Sequence, residues 1–208
     1  MNERKNYRKH FVTMAIVAAV IAAMVPCIAI GVNAKLSVDS EPVAKIGDQT
    51  YYDLHEALDQ CTEYKQKTVE LLRDVTLTGT WTPIAIFNGT FEGNNHTIYN
   101  LKVEGTSENV GMFATAGEID TYDYRANIQN FVLSGASVTS TSDNVGIIVG
   151  YGFANVTNVT IKNSTLDAQS SERVGGFVGS SCSLITNCTL ENSSVTASEQ
   201  VGGISGYS

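Results

Sequence analysis

The chain has 208 residues, of which 43% are hydrophobic and 16% charged, with 18 glycines, only 3 prolines and a formal net charge of −8. That apolar fraction excludes a disordered polar chain, and the Ser, Thr and Asn abundance beside few prolines fits an ordered, β-rich one. The acidic balance argues against nucleic acid or anionic lipid as a partner.

Residues 1–34 read as a signal peptide. Arg4, Lys5, Arg8 and Lys9 form a basic start, residues 11–32 are almost unbroken apolar, and Val32-Asn33-Ala34 precedes an expected cut at Lys35. A run of that length could also span a bilayer if uncleaved, but Pro26 and the Ala34 exit favour cleavage, after which no membrane insertion is expected. Cleavage removes four basic residues and one acid, leaving nine Lys and Arg against twenty Asp and Glu, a net charge of −11.

Residues 35–99 read as an N-terminal segment: a hairpin, a capping helix and a first coil. Residues 43–46 and 50–52 flank Gly47-Asp48 as a small hairpin. Leu54, Ala57, Leu58 and Cys61 come next at i, i+3, i+4 and i+7, one apolar stripe on a short helix. Such a helix would cover the open end of the first coil and its unpaired strand edge. Residues 69–72 and 75–77 begin that coil, and residues 89–95 read as a turn-rich passage.

Residues 100–208 repeat. Anchoring on Asn gives Asn100, Asn130, Asn158 and Asn187, with spacings of 30, 28 and 29; anchoring on Val gives Val110, Val145, Val174 and Val201, with spacings of 35, 29 and 27. A period near 29 is the signature of a solenoid. After each Asn the pattern alternates (Leu101 and Val103, Phe131 and Leu133, Val159 and Ile161, Cys188 and Leu190), as a strand with one buried face does. A second strand is centred on Val138, Leu166 and Val195. The third segment is glycine-rich: NVGMFATAG, NVGIIVGYG, RVGGFVGSS, QVGGISGYS. After its repeated Val comes an invariant Gly, and two residues beyond that a large apolar side chain, which suits a tight corner or a bulge. Alternation alone does not decide which face of this segment turns inward. Stacked copies bury like residues on like, and a repeated Asn can adopt left-handed backbone and hydrogen-bond its copy. The expected fold is all-β: a right-handed parallel β-helix with a short N-terminal capping helix. Its C-terminal end, within a glycine-rich segment at Ser208, is expected to be a truncation point, with further domains of the same chain beyond it.

The VGGFVG and VGGISG segments resemble the GLUG motif found in tandem in bacterial cell-surface proteins, some of which carry an IgA-cleaving metallopeptidase domain elsewhere. The stretch VAKIGDQTYYDLHEALDQC with TVELLRDVTL and GTFEGNNHTIYNL is similar to the opening of secreted, pectate-lyase-like β-helix domains. Met112 and Thr115 depart from the motif, replacing its third and sixth glycines. The resemblance implies an exported surface or adhesin-like module acting as a stalk or binding surface, with an unidentified host glycan or protein ligand as its partner. It leaves open the repeat region of a larger secreted peptidase, or a polysaccharide-active enzyme.

No catalytic, cofactor-binding or metal-ligating residue is assigned. His55 and His96 stand alone, and His10 falls in the signal segment. The mature chain keeps Cys61, Cys182 and Cys188; Cys188 fills the slot of Phe131 and Val159 and reads as a small buried hydrophobe. Cys182 and Cys188 could pair only across a turn, because an extended six-residue span is roughly 20 Å and a disulfide needs Cα atoms within about 7 Å. The outward slots hold Lys102, Val132, Thr160 and Thr189, then Glu104, Ser134, Lys162 and Glu191, with no cluster of acids. The insertion GEIDTYDYRA supplies Glu118, Asp120, Asp123 and Arg125 beside Tyr122 and Tyr124, a loop that could take calcium or a sugar, although its acids lack the spacing of a defined calcium loop.

Overall fold

Two nine-residue strands set the pattern. In Ala126–Ser134 the side chains of Ala126, Ile128, Phe131 and Leu133 are buried, and in Ala154–Lys162 those of Ala154, Val156, Val159 and Ile161. Alternation holds on either side of Asn130 and Asn158 but changes phase at them, because each adopts positive φ, 60° and 54°. Each strand is therefore two short strands joined at a left-handed corner, and the two pair in parallel and in register from Ala126↔Ala154 to Ser134↔Lys162. The computed structural model describes residues 41–62, 67–117, 125–181 and 184–207. The expected signal peptide lies outside them.

The described chain is mostly β, with one short helix and sheets built chiefly of parallel strands. It makes five passes in the same order, the first of which, among the described residues, has no strand in the third and fourth columns. In the first column the passes stack Val69, Phe91, Ile128, Val156 and Ile185. The second stacks Val75, Ile98, Leu133, Ile161 and Leu190. The third stacks Val103, Val138, Leu166 and Val195, and the fourth, on two-residue strands, Val110, Val145, Val174 and Val201. The fifth stacks Ile84, Phe113, Val149, Val178 and Ser205. Apolar residues in these columns form one core from Val43 to Val178. Each pass buries its apolar side only against its neighbours, as repeat architectures do.

Corners are columns too. Positive φ recurs at Asn95, Asn130, Asn158 and Asn187, at Asn100, Gly135, Asn163 and Asn192, and at Asn109, Asn144, Arg173 and Gln200. Asn is among the few residues that tolerate this backbone. It also bonds to its neighbour: Asn158 Nδ2 donates to Asn130 Oδ1 at 2.9 Å, and Asn130 Nδ2 to both Glu92 oxygens at 3.0 and 2.9 Å. Replacing Asn130 by Ala is expected to cost about 2 kcal/mol, from the left-handed backbone and the lost bonds. Asn130→Gly should recover the backbone share, so urea unfolding should rank Gly between Ala and the parent. Equal costs for Ala and Gly would remove the backbone explanation.

Register corrects the sequence reading in the looser copy. Leu133 pairs with Ile98 and Val138 with Val103, so the counterpart of Asn130 is Asn95, and Asn95 N donates to Asn130 O at 2.7 Å. Asn100 belongs to the second corner, and Leu101 and Val103 to the third column rather than the second. With Asn95 as anchor both series give 35 residues for that interval, which removes the mismatch between 30 and 35. The same copy is one residue shorter at its glycine corner. Val145 pairs with Val110 but Val149 with Phe113, which places Ala114, not Thr115, at the sixth glycine. The turn-rich passage at 89–95 contains a strand, Thr90–Glu92, with Phe91 fully buried.

Capping is divided between two elements. Strands Ala44–Ile46 and Gln49–Tyr51 form the expected antiparallel hairpin, and Ala44 and Lys45 pair antiparallel with Leu71 and Glu70. The hairpin, rather than the helix, thus covers the free edge of the first column. Helix α1 (Leu54–Asp59) starts at Asp53, whose Oδ1 accepts from Glu56 N at 3.1 Å. It buries Leu54, Ala57 and Leu58 and packs on strand Ile84–Phe87, where Asn88 N donates to Cys61 O. In the last described pass Leu184, Val201, Ile204 and Tyr207 are exposed. Among the described residues no helix is long and apolar enough to cross a membrane.

Candidate functional site

The sequence candidates do not gather. Residues 118–124, with Glu118, Asp120, Tyr122, Asp123 and Tyr124, lie outside the described residues. The insertion joins strand Phe113–Ala116 to strand Ala126–Ser134, and Arg125 at its end lies over the Phe153 ring, 5.9 Å from the centroid. His55 Nε2 is 2.9 Å from Thr82 O, with its ring 4.8 Å from that of Trp81, while His96 Nδ1 is 3.3 Å from Asp74 Oδ1. Among the described residues no three His, Cys, Asp or Glu side chains are grouped to hold a metal.

Cys61 and Cys188 are free thiols, and Cys182 lies outside the described residues. Cys188 Sγ is 3.4 Å from Thr186 O and 3.5 Å from Val156 O, packed against the core but only partly buried. Cys61 is buried under Gly89, and burial pushes its thiol up to about 11, slightly offset by Lys67. The native chain should therefore leave Cys61 unalkylated by iodoacetamide at pH 8 and expose it on unfolding, read by mass spectrometry of the labelled peptide. An unfolded thiol ionises near its ordinary 9.0, so unfolding releases a proton above pH 9. Stability held below that pH should fall as pH rises towards 11. Rapid native labelling of Cys61 would contradict the buried position.

The outward rows change with the register. One holds Thr97, Val132, Thr160 and Thr189, and the next Tyr99, Ser134, Lys162 and Glu191. Lys102 and Glu104 belong elsewhere, forming an exposed ion pair. Glu104 aligns with Thr139, Asp167 and Thr196, so its nearest carboxylate in the row is two strand spacings away, roughly 10 Å.

One concave feature was not assigned from the sequence. A groove of about 630 Å³ runs across the passes between two rows. One row is the third corner: Asn109, Asn144, Arg173 and Gln200, each the residue before a repeated Val. The other is the row Tyr151, Ser180 and Tyr207 of the fifth column, in register by Tyr151↔Ser180 and Ser180↔Tyr207. Glu108 completes the lining. Asn144 Nδ2 donates to Asn109 Oδ1 at 2.9 Å, and Arg173 Nη2 pairs with Asp143 Oδ2 at 3.3 Å. Asn144 Oδ1 and Arg173 Nε are buried without a hydrogen-bond partner. The signal in the sequence was the Tyr of GYG and GYS, which the period places on one row.

No protein-family model and no solved structure matches the chain. Among curated proteins it is similar to Halomucin of Haloquadratum walsbyi, 39% identical over 74 residues, which is 36% of this chain and 1% of that protein. The chain thus spans about 1% of the length of the curated relative it matches.

Proposed function

We propose that the chain is a right-handed parallel β-helix of GLUG type, exported by a bacterium, that serves as a non-catalytic stalk or binding module of a larger surface protein. The observation that carries this reading is the stacking of five passes of the chain in the same columns, each pass pairing in parallel with the last. Parallel crossovers within one sheet are right-handed in nearly all proteins, which supports the hand. Outward positions are dominated by Ser, Thr and Asn, a surface suited to solvent and to hydroxyl-rich partners. The likeness to Halomucin, a protein named as a mucin, supports a surface, mucin-like setting. Digesting intact producing cells with proteinase K tests the location. Loss of the chain from unbroken cells is the expected result; protection until lysis would overturn the reading.

A further inference from the structure

We infer that the groove between the Asn109–Asn144–Arg173–Gln200 corner and the Tyr151–Ser180–Tyr207 row binds an extended, uncharged polysaccharide chain lying across the passes. The inference deepens the surface-module reading and rests on it.

Three features select the ligand. First, the corner row lines the groove with the side-chain amides of Asn109, Asn144 and Gln200 beside the Arg173 guanidinium. An amide both donates and accepts, so a hydroxyl group can do the reverse with it on either side. Sugar rings carry such hydroxyls at short, regular intervals. Second, Tyr151 and Tyr207 stand two strand spacings apart in one row, roughly 10 Å, with the small Ser180 between them. An aromatic ring offers an apolar face for the C–H face of a sugar and a polar tip for its hydroxyls. Third, both rows run across the passes, so the groove offers a polar corner group at steps of about 4.8 Å and an aromatic ring at every second step, the arrangement a polymer uses and a compact molecule does not.

Charge narrows the class to neutral glycans. Glu108 and Arg173 bring one charge of each sign to the lining, and Arg173 is already paired with Asp143. An anionic chain would gain no excess of positive charge here and would face a chain of net charge −8.

The test is native affinity electrophoresis of the full chain through gels containing galactomannan, hydroxyethylcellulose or, as the anionic arm, polygalacturonate. Retardation is expected in at least one neutral gel and not in polygalacturonate. Tyr151→Ala and Tyr207→Ala should each weaken retardation about tenfold, the order of one aromatic contact, while Tyr99→Ala, on another row, should leave it unchanged. Tyr207 is 59% exposed, so its replacement leaves the core intact and the melting temperature should not move. Unretarded migration in both neutral gels, retardation in polygalacturonate alone, or retention that survives Tyr151→Ala with Tyr207→Ala would overturn the inference. Protease digestion of intact cells reports location independently, so a chain reachable from outside yet unretarded refutes the groove and leaves the surface reading standing.

Discussion

Adding one methyl group at Gly175 is expected to cost more than about 3 kcal/mol, on the order of strongly overpacked core sites. Gly175 is the second residue of the VGGFVG corner, where strand Val174–Gly175 turns sharply into Val178–Ser181. A Cβ there would collide with the Val178 carbonyl oxygen and would lie 2.6 Å from Gly206 N and 2.7 Å from Ser205 Cα. All three are backbone atoms of the same corner or the next pass, so no side chain can swing aside. Relief would require opening the corner or separating two passes, and either breaks the parallel pairing Val178↔Ser205. The matched control is Gly203→Ala, in the last pass, where nothing lies within 4 Å of the added carbon; its effect should stay within about 0.5 kcal/mol. In thermal melts followed by circular dichroism, Gly175→Ala should lower the midpoint by about 10 °C, given about 2–4 °C per kcal/mol for a chain of this size. A midpoint within about 2 °C of the parent would mean that the corner yields and that its glycine is not required for space.

The parts of the fold that were legible are those written in repeated residue types. Asn130 and Asn158 mark corners because few residues tolerate left-handed backbone. The alternation of Phe131 and Leu133 marks an inward face, and the stripe Leu54, Ala57, Leu58 and Cys61 marks the helix. Misreadings arose where the repeat count itself changes. The loose copy keeps the corner spacing of the next pass but carries an insertion after its third corner, 21 residues from Asn109 to Asn130 against 14 from Asn144 to Asn158, and has one residue fewer at its glycine turn, so Asn100 competes with Asn95 as anchor and Thr115 with Ala114 as the sixth position. Only hydrogen-bond register separates them. Whether hairpin or helix covers the first edge was also hidden, because Ala44↔Leu71 is a tertiary pairing between residues 27 apart with no local signature. The groove escaped notice for a related reason. Its rows combine the residue before one repeated Val with a Tyr several positions later, so neither half forms a motif. That Asn144 Oδ1 and Arg173 Nε are buried without partners is a property of packing rather than of sequence.

Phe131 offers the second large effect and a test of how the passes share stability. Its side chain is 2% exposed, and its ring meets that of Phe91 edge-on, with centroids 5.2 Å apart, a geometry worth something beyond area alone. Along the same slot the next pass places Val159, and the last pass Cys188, only partly buried. The slot therefore runs from a large buried ring to a small, half-covered thiol as it approaches the last described pass. Truncating Phe131 to Ala should cost about 3–5 kcal/mol, whereas Phe131→Leu, which keeps most of the volume, should cost about 1 kcal/mol. Cys188→Ala should cost under about 1 kcal/mol, because the removed sulfur is partly solvated already. In a chain whose passes touch only their neighbours, weakening one interface near the middle also weakens the coupling between the passes on either side. Urea unfolding of Phe131→Ala should then show a reduced slope or a second transition, while Phe131→Leu keeps a single one. A cost for Phe131→Ala no greater than that for Cys188→Ala would mean that burial in this column does not set stability. A large cost with an undiminished slope would instead mean that the five passes unfold as one cooperative unit, held together by their cores rather than pair by pair.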